Sequence, residues 1–284
     1  MTTNNLRIAF FGTPELTIPI LEELKNTGYT PVVVVTGMDK PVGRKMTITA
    51  PEPKKWADEN NVEIFQPQKL DSDFIEEFKK LNIDLSIVVA YGKIIPEELI
   101  DIPKYGTINI HYSLLPKYRG ATPVEAAILN GDTETGVCIQ HMRYKLDSGP
   151  IIKMEEISIG DTDTTEELRG KLNIVGKKLL IKSIEELVSG NAKMLEQDET
   201  QATFCKKIKK EDGEIDLDDN ETINYNKFRA YNKWPRTYFF VEKSGQKARV
   251  IITEAKIENN TFVIEKVIPE GKKEIPYSEF IKTI

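Results

Sequence analysis

The sequence predicts an α/β protein with a doubly wound, mostly parallel sheet, followed by a small antiparallel barrel or sheet domain. Residues 6–11, 31–36 and 84–90 are apolar runs, typical of strands that are buried on both faces of a parallel sheet. Helical patterns alternate with these runs, as in folds built from strand–helix–strand units. After Gly190 the pattern changes, and from Tyr238 onward short β-rich runs are separated by turn residues.

The order of the predicted elements supports this fold class. After the first strand at 6–11, Thr13-Pro14-Glu15 offers a capping residue, a first-turn proline and a first-turn acid, so we expect a helix there that ends near Gly28. The other predicted elements are, in order, a strand at 31–36, a loop at 37–50, a helix from Pro51, a helix at 74–81, strands at 84–90, 106–110, 137–142 and 151–159, and a helix at 164–187.

The chain divides by composition into three parts. Residues 191–203 are polar and have no clear period, so we predict an N-terminal domain at 1–190, a linker at 191–206 and a C-terminal domain at 207–284. Residues 225–284 contain 12 Lys and Arg against 7 Asp and Glu, whereas the whole chain has 39 against 45. This basic end is a hint of a polyanion partner, and ordinary solvated lysines are the alternative.

Composition excludes several classes of protein. With 39% hydrophobic and 30% charged residues, the chain can bury a core. Its apolar runs are shorter than the ~18 residues that a membrane helix needs, and its start resembles no secretion signal. We therefore expect a cytoplasmic protein with no membrane association. The two cysteines, Cys138 and Cys205, and the two histidines, His111 and His141, form no cluster with metal-ligand spacing, so no metal site is predicted.

Nucleotide-binding motifs are also missing. Residues 11–15 follow the first strand but contain one glycine in place of the Gly-x-Gly-x-x-Gly spacing, and no phosphate-binding Gly-Lys-Ser/Thr loop occurs. Ligands of doubly wound folds bind at the carboxyl ends of the strands. Three segments meet that condition: 12–15, 90–93 and 109–116.

One group of residues suggests acyl-type transfer. Asn109 and His111 alternate along the end of a predicted strand and therefore project to one side, and Asp147 lies in a tight turn between two strands. An amide can donate to a developing oxyanion, a histidine can donate to it or move a proton, and an aspartate can orient the histidine or hold an attacking amine. None is a strong nucleophile, so attack by a substrate amine is expected. From these residues alone, a packing histidine and a turn-forming aspartate remain an open alternative.

The segment Asn109-Ile110-His111-Tyr112-Ser113-Leu114-Leu115-Pro116 resembles the signature of the folate-dependent formyltransferases, which transfer a formyl group from 10-formyltetrahydrofolate to an amine. Within that family the whole chain is similar to the branch that formylates initiator methionyl-tRNA for translation initiation. The similar stretches follow the order of that branch and are 11–15, 39–44, 89–92, 113–121, 131–137, 146–149, 209–216, 229–235 and 269–273.

The resemblance implies site residues. The catalytic residues would be Asn109, His111 and Asp147, with 10-formyltetrahydrofolate as co-substrate and no metal. The implied folate contacts are Tyr91, Gly92, Ser113, Leu114, Leu115 and Pro116. Lys40, Arg44 and Lys45 belong to the basic loop at 37–50, which would contact the tRNA; without the resemblance, a polar surface loop is the simpler interpretation.

The resemblance also implies a formyltransferase-like N-terminal domain and a small barrel of the oligonucleotide-binding type, here shortened. We expect a monomer with no obligate protein partner. Tyr112 and Arg236 stand where the family usually has glycine. The alternatives are a formyltransferase that acts on an amino sugar nucleotide, against which Arg44 and Trp234-Pro235 argue, a glycinamide ribonucleotide enzyme, which would not need the C-terminal domain, and an inactive folate- or RNA-binding regulator.

Overall fold

The computed structural model describes residues 6–43, 46–243 and 245–284. The chain forms two compact units. The first consists of Met1–Arg119, Gly136–Glu156 and Lys171–Phe204, and the second of Gly120–Thr135, Ile157–Gly170 and Cys205–Ile284. The division into residues 1–190, 191–206 and 207–284 stays a prediction.

The strands and helices alternate through the first two thirds of the described chain. The strands are β1 (Ile8–Gly12), β2 (Val33–Val35), β3 (Lys40–Val42), β4 (Thr47–Thr49), β5 (Glu63–Phe65), β6 (Leu85–Val89), β7 (Thr107–His111), β8 (Arg119–Gly120), β9 (Glu134–His141), β10 (Ile151–Ser158), β11 (Phe204–Cys205), β12 (Tyr238–Lys243), β13 (Gln246–Glu258), β14 (Thr261–Pro269) and β15 (Ile275–Pro276). The helices are α1 (Ile18–Asn26), α2 (Glu52–Glu59), α3 (Ser72–Lys79), α4 (Glu97–Asp101), α5 (Pro123–Leu129), α6 (Thr165–Val188), α7 (Glu221–Ala230) and α8 (Tyr277–Phe280).

A seven-stranded sheet has the order β10-β9-β7-β6-β1-β2-β5. Strands β7, β6, β1, β2 and β5 pair in parallel, and β9 pairs with β7 in the antiparallel direction. The chain begins near the middle of this sheet and extends it in both directions, which is a doubly wound topology. The predicted fold class is therefore confirmed.

The parallel strands are buried because their apolar runs face helices on both sides of the sheet. Every residue of β1, β2 and β6 is buried. On one side, Phe11 packs against Phe78 of α3, with ring centroids 5.7 Å apart, in a cluster that also holds Val33 and Leu99. Each large apolar side chain buried in this way contributes about 1.5–3 kcal/mol.

The second unit contains an antiparallel sheet of order β12-β13-β14-β15, consistent with the predicted small barrel domain. Its register shifts around Glu254, where β13 and β14 have an irregularity. Helix α7 covers the sheet, and the rings of Phe228 and Phe262 lie 6.2 Å apart.

Two local predictions were wrong. The first α-helix begins at Ile18, after a 3-10 turn at Glu15–Thr17, and the hydroxyl of Thr13 donates to the carbonyl of Tyr91 (3.1 Å) rather than capping the helix. The loop expected at 37–50 contains a hairpin, in which β3 and β4 pair in the antiparallel direction. In addition to these two errors, helices α4, α5 and α7 lie where no helix was predicted.

Candidate active site

The end of β7 and its neighbour β9 form the base of the site. In the antiparallel ladder Asn109 lies opposite Gln140 and His111 lies opposite Cys138. Directly opposed residues share a face of the sheet, as do alternate residues of one strand. Side chains of Asn109, His111 and Gln140 therefore emerge on the same face, near the carboxyl end of β7.

His111 is held by its ring nitrogens. Only 5% of the residue is exposed, and Nε2 lies 3.0 Å from the carbonyl oxygen of Tyr118. Because a carbonyl oxygen only accepts, the ring carries a proton on Nε2. The other nitrogen, Nδ1, lies 3.8 Å from Oδ2 of Asp147. A proton taken up by Nδ1 would therefore face a carboxylate.

Asp147 is placed by a tight turn. Its φ is +45°, in the left-handed region, and the turn closes where the Ser148 hydroxyl donates to the carbonyl of Lys145 (2.9 Å). Gly149 is required next, because a Cβ there would lie 1.8 Å from the carbonyl oxygen of His141. This close approach brings the turn against the end of β9, where Nε2 of Gln140 donates to Oδ1 of Asp147 (3.0 Å).

The three predicted catalytic residues thus differ in their contacts. His111 and Asp147 face each other, and Asn109 shares the face of β7 with His111. Asn109 is half-buried, and in the described part of the chain its carboxamide has no side-chain hydrogen-bond partner. We refer to Asn109, His111 and Asp147, the three predicted catalytic residues, as the catalytic corner. It combines an amide with unused donors and a histidine–carboxylate pair.

The loop after β7 contains four of the predicted folate contacts. Ser113 is buried and its hydroxyl donates to the carbonyl of Lys117 (2.6 Å), so this side chain closes the loop. Leu115 packs in a cluster with Cys138 and Ile151, and a cis peptide bond joins it to Pro116. Within this loop Leu114 and Pro116 are half-buried.

Leu114 lies over Gly136 of β9. A Cβ at Gly136 would lie 2.4 Å from a methyl carbon of Leu114 and also 2.4 Å from the carbonyl oxygen of Glu155, and because that backbone atom cannot easily shift, glycine is required here. The loop therefore packs against β9, the strand that carries Gln140.

Tyr91 and Gly92, the other predicted folate contacts, follow β6. The ring of Tyr91 packs edge-on against Phe11, at 5.4 Å, and burial raises the pKa of its phenol to about 12. Among the described residues its hydroxyl has no hydrogen-bond partner. Ala90 and Gly92 both have positive φ, +48° and +81°, so the chain turns sharply at the carboxyl end of this strand.

The basic segment 37–50 is a hairpin whose base is anchored and whose strands are exposed. The Asp39 carboxylate accepts from Gln66 (2.8 Å) and Lys54 (2.9 Å), and these bonds lower the pKa of Asp39. Lys40, a predicted tRNA contact, is exposed on β3. The other two predicted contacts, Arg44 and Lys45, lie outside the described residues.

Apolar side chains of the hairpin are exposed as well: Val42 by 57% and Ile48 by 66%. They do not join the core of the first unit. An exposed surface that combines apolar and cationic side chains is typical of a binding segment.

Tyr112, which stands in place of the usual glycine, is directed away from the hydrogen bonds of the corner. The side chain is buried, and its hydroxyl donates to the side-chain oxygen of Asn173 on α6. Asn173 in turn donates to the carbonyl of Leu16 (3.0 Å). Tyr112 therefore ties the end of β7 to the helix.

Sequence reasoning missed the residues that surround Asp147. Gln140 is a polar residue directly after the apolar run 137–139 of β9, which was an available signal. Gln197 lies in the predicted linker and donates to the carbonyls of Asp147 (2.9 Å) and Gly149 (2.7 Å). Arg119, fully buried, donates to both Gln197 and Glu199.

No helix within the described residues is long and apolar enough to cross a membrane. Across residues 6–43, 46–243 and 245–284, no group of three or more His, Cys, Asp or Glu side chains is placed to hold a metal ion.

The fold and the corner together indicate a transferase of acyl-type groups, and comparison with known proteins defines its class. The formyl transferase family model matches residues 6–184, and the formyl transferase C-terminal domain model matches residues 207–263. The chain belongs to the formyl transferase family.

Its relatives narrow the class further. It is 40% identical to the methionyl-tRNA formyltransferase of Thermodesulfovibrio yellowstonii, covering 96% of this chain and 94% of the relative. It is 38% identical to the methionyl-tRNA formyltransferase of Bacillus velezensis, covering 97% and 94%.

Solved structures share the fold at lower identity. An N-formyltransferase from Helicobacter canadensis, in complex with folinic acid and dTDP-3-aminofucose, aligns with a TM-score of 0.64 at 18% identity over 92% of this chain and 95% of that one. HypX from Aquifex aeolicus aligns with a TM-score of 0.69 at 17% identity, over 99% of this chain and 48% of that one. At these identities the likeness concerns the fold.

Proposed function

We propose that this protein transfers the formyl group of 10-formyltetrahydrofolate to the α-amine of methionine on initiator methionyl-tRNA. One observation carries the proposal: methionyl-tRNA formyltransferases align with nearly the whole chain at about 40% identity. The aligned region includes the catalytic corner. The fold and the formyl transferase domains agree with this activity.

In the proposed reaction, the α-amine forms a bond to the formyl carbon, and the bond between that carbon and the folate nitrogen breaks. The amine loses a proton, and the folate nitrogen gains one. An α-amine has a pKa of about 7.7, so a useful fraction is free base at neutral pH. The protein must therefore orient the reactants and stabilise the developing oxyanion more than it must remove a proton.

Asn109 is the group best suited to the oxyanion. Its amide donors are unused by the described side chains and it is half-buried, so they remain accessible to a substrate oxygen. In a site that excludes water, a preorganised donor stabilises a charged intermediate more than water does. We assign oxyanion stabilisation to Asn109, with support from His111 once Nδ1 has taken up a proton.

His111 and Asp147 are suited to proton transfer. The Nε2 proton of His111 is used by the carbonyl of Tyr118, so the nitrogen available to accept a proton is Nδ1. Asp147 lies 3.8 Å from Nδ1 and would stabilise the imidazolium that forms. In this proposal, Asp147 positions the attacking amine and helps its proton leave.

The folate co-substrate would lie between Tyr91-Gly92 and the loop 113–116. These segments follow β6 and β7, which are adjacent strands of the sheet. Lys40 and the hairpin would contact the acceptor end of the tRNA, through phosphate contacts that position it. The expected cytoplasmic location and monomeric state, with no obligate protein partner, are part of the same proposal.

The experiment that tests this function is a choice of acceptor. The purified protein is incubated with 10-formyltetrahydrofolate and either initiator methionyl-tRNA or an amino sugar nucleotide, and formylated product is measured by mass spectrometry. We expect formyl-methionine on the tRNA only. Formyl transfer to the sugar nucleotide alone would contradict the proposal, and transfer to neither would favour an inactive regulator.

A further inference from the structure

Asp147 has a second set of contacts, beyond His111, that the proposed reaction does not use. Gln140 reaches it from β9: only 1% of Gln140 is exposed, and its Nε2 lies 3.0 Å from Oδ1 of Asp147. The other carboxylate oxygen, Oδ2, faces Nδ1 of His111. The two carboxylate oxygens therefore have different partners, which fixes the rotation of the carboxylate plane.

The orientation of the Gln140 amide is set by the same contact. A carboxylate only accepts, so the nitrogen of Gln140 must face Asp147 and the oxygen must point elsewhere. That oxygen is buried and has no hydrogen-bond partner among the described residues. A buried amide oxygen without a hydrogen-bond partner destabilises the folded state. A stabilising role alone does not explain such a residue.

The main chain of Asp147 is held from the opposite direction. Nε2 of Gln197 donates to the carbonyls of Asp147 (2.9 Å) and Gly149 (2.7 Å) and so spans the turn. Oε1 of Gln197 accepts from Nε (3.1 Å) and the NH2 group (2.8 Å) of Arg119. Both the amide nitrogen and the amide oxygen of Gln197 are therefore fully hydrogen-bonded.

Arg119 makes the position of Gln197 rigid. Its side chain is completely buried, and two of its nitrogens pair with the two carboxylate oxygens of Glu199 (3.1 and 2.8 Å). A guanidinium that is bound in this two-pronged way has little freedom to rotate. Because Asp147 has a φ of +45°, a strained conformation that needs support from its surroundings, such rigidity matters.

We propose that Gln140 and Gln197 are positioning residues that hold Asp147 from two sides, Gln140 through its carboxylate and Gln197 through its main chain. The proposal rests on the assignment of Asp147 to the catalytic corner. Both glutamines touch Asp147 and neither is assigned to a substrate, so both act on the reaction through Asp147. A misplacement of about 1 Å at a reacting group can lower a rate about 100-fold.

The test begins with Gln140→Met, which keeps the size of the side chain and removes its donor. We expect kcat to fall about 10- to 100-fold, while KM for the folate and for the tRNA stays within about two-fold, because Gln140 is buried and is not among the proposed substrate contacts. Gln197→Met is expected to act in the same direction. A kcat within about two-fold of wild type in both variants would overturn the proposal.

A double-variant cycle separates positioning from a general structural role. Rates are measured in single turnovers with excess enzyme for Asp147→Asn, with and without Gln140→Met. If Gln140 acts through Asp147, its substitution has little further effect once the carboxylate is absent. An equal loss in both backgrounds would show a structural role and overturn the proposal.

Two matched controls accompany the cycle. Thr135 lies on β9, the same strand as Gln140, and its buried hydroxyl has no hydrogen-bond partner among the described residues. Thr135→Val removes this hydroxyl. Glu196→Gln alters the residue next to Gln197 and breaks an exposed ion pair with Arg143. Both are expected to retain wild-type kcat. If Asp147→Asn itself retained the wild-type rate, the assignment of Asp147 under the proposed function would fail, which is a different outcome from failure of the glutamine proposal.

Discussion

The catalytic corner and the hairpin of β3 and β4 belong to the same unit and are built in opposite ways. In the corner, His111 and Asp147 are buried or nearly so: the His111 ring is hydrogen-bonded to the carbonyl of Tyr118, and Asp147 accepts from Gln140 and Gln197. In the hairpin, both strands are exposed, and the described anchor lies at the base, through Asp39. Under the proposed function, the first region is fixed for chemistry and the second is open for recognition.

The largest expected effect comes from breaking the corner. His111→Ala removes both the Nδ1 that faces Asp147 and the proton donor to Tyr118. We expect kcat for formyl transfer to fall by about 10²–10⁴-fold, the range for loss of a general acid–base group, with little change in KM for the tRNA. Steady-state kinetics at saturating folate measure this. An unchanged kcat in a folded variant would remove His111 from the mechanism.

A substitution in the hairpin should affect tRNA binding rather than the chemical step. Lys40→Ala removes an exposed cation from β3, and we expect KM for methionyl-tRNA to rise a few-fold with kcat unchanged. If Lys40 contacts a phosphate, the slope of log affinity against log salt concentration becomes shallower by about 0.7–0.9. Lys80→Ala, at another exposed lysine of the first unit, is the control. Equal effects of the two substitutions would contradict a specific contact at the hairpin.

The rigidity of the corner can be tested by pH. Hydrogen bonds from Arg119 and Lys145 lower the pKa of Glu199 from 4.5 to about 2. A carboxyl whose pKa is lower in the folded state stabilises the protein above its ordinary pKa, and this contribution is lost as the pH falls towards the folded value. Glu199→Gln should therefore lower Tm at pH 7, and its difference from wild type should shrink between pH 4.5 and about 2. A difference that is constant with pH would contradict this.

The smallest effect is expected at a neighbouring ion pair. Arg143 and Glu196 are both more than half exposed, and such pairs contribute about 0–1 kcal/mol. Glu196→Gln should therefore change Tm by no more than about 2–4 °C at pH 7. If Glu196→Gln lowered Tm more than Glu199→Gln does, the exposed ion pair would stabilise the fold more than the pair at buried Arg119, which would contradict this prediction.

The sequence was informative where a residue type and its position pointed to one use. The apolar runs at 6–11 and 84–90 predicted buried parallel strands because few other structures bury such runs on both faces. Asn109 and His111 could be placed together because alternate residues of a strand share a face. Asp147 and His111 lie next to each other, which agrees with the expectation that they act together. The catalytic role of each residue stays a prediction.

The sequence was less informative where tertiary contacts decide. The hairpin within 37–50 was missed because its strands are three residues each and carry polar residues and a proline. Gln197 could not be assigned because its role depends on a turn 50 positions earlier in the chain. Thr13 was predicted to cap a helix, but its hydroxyl donates to the carbonyl of Tyr91, which follows the neighbouring strand β6. No local sequence pattern encodes such a contact.

The most direct test of the corner is the rate of formyl transfer by Asn109→Ala, measured in single turnovers with methionyl-tRNA and checked for folding by thermal unfolding. Because the amide of Asn109 has no side-chain hydrogen-bond partner among the described residues and is the donor that we propose for the oxyanion, we predict a rate lower by about 10²–10³-fold with nearly unchanged substrate binding. A folded variant that formylates methionyl-tRNA at close to the wild-type rate would contradict the account.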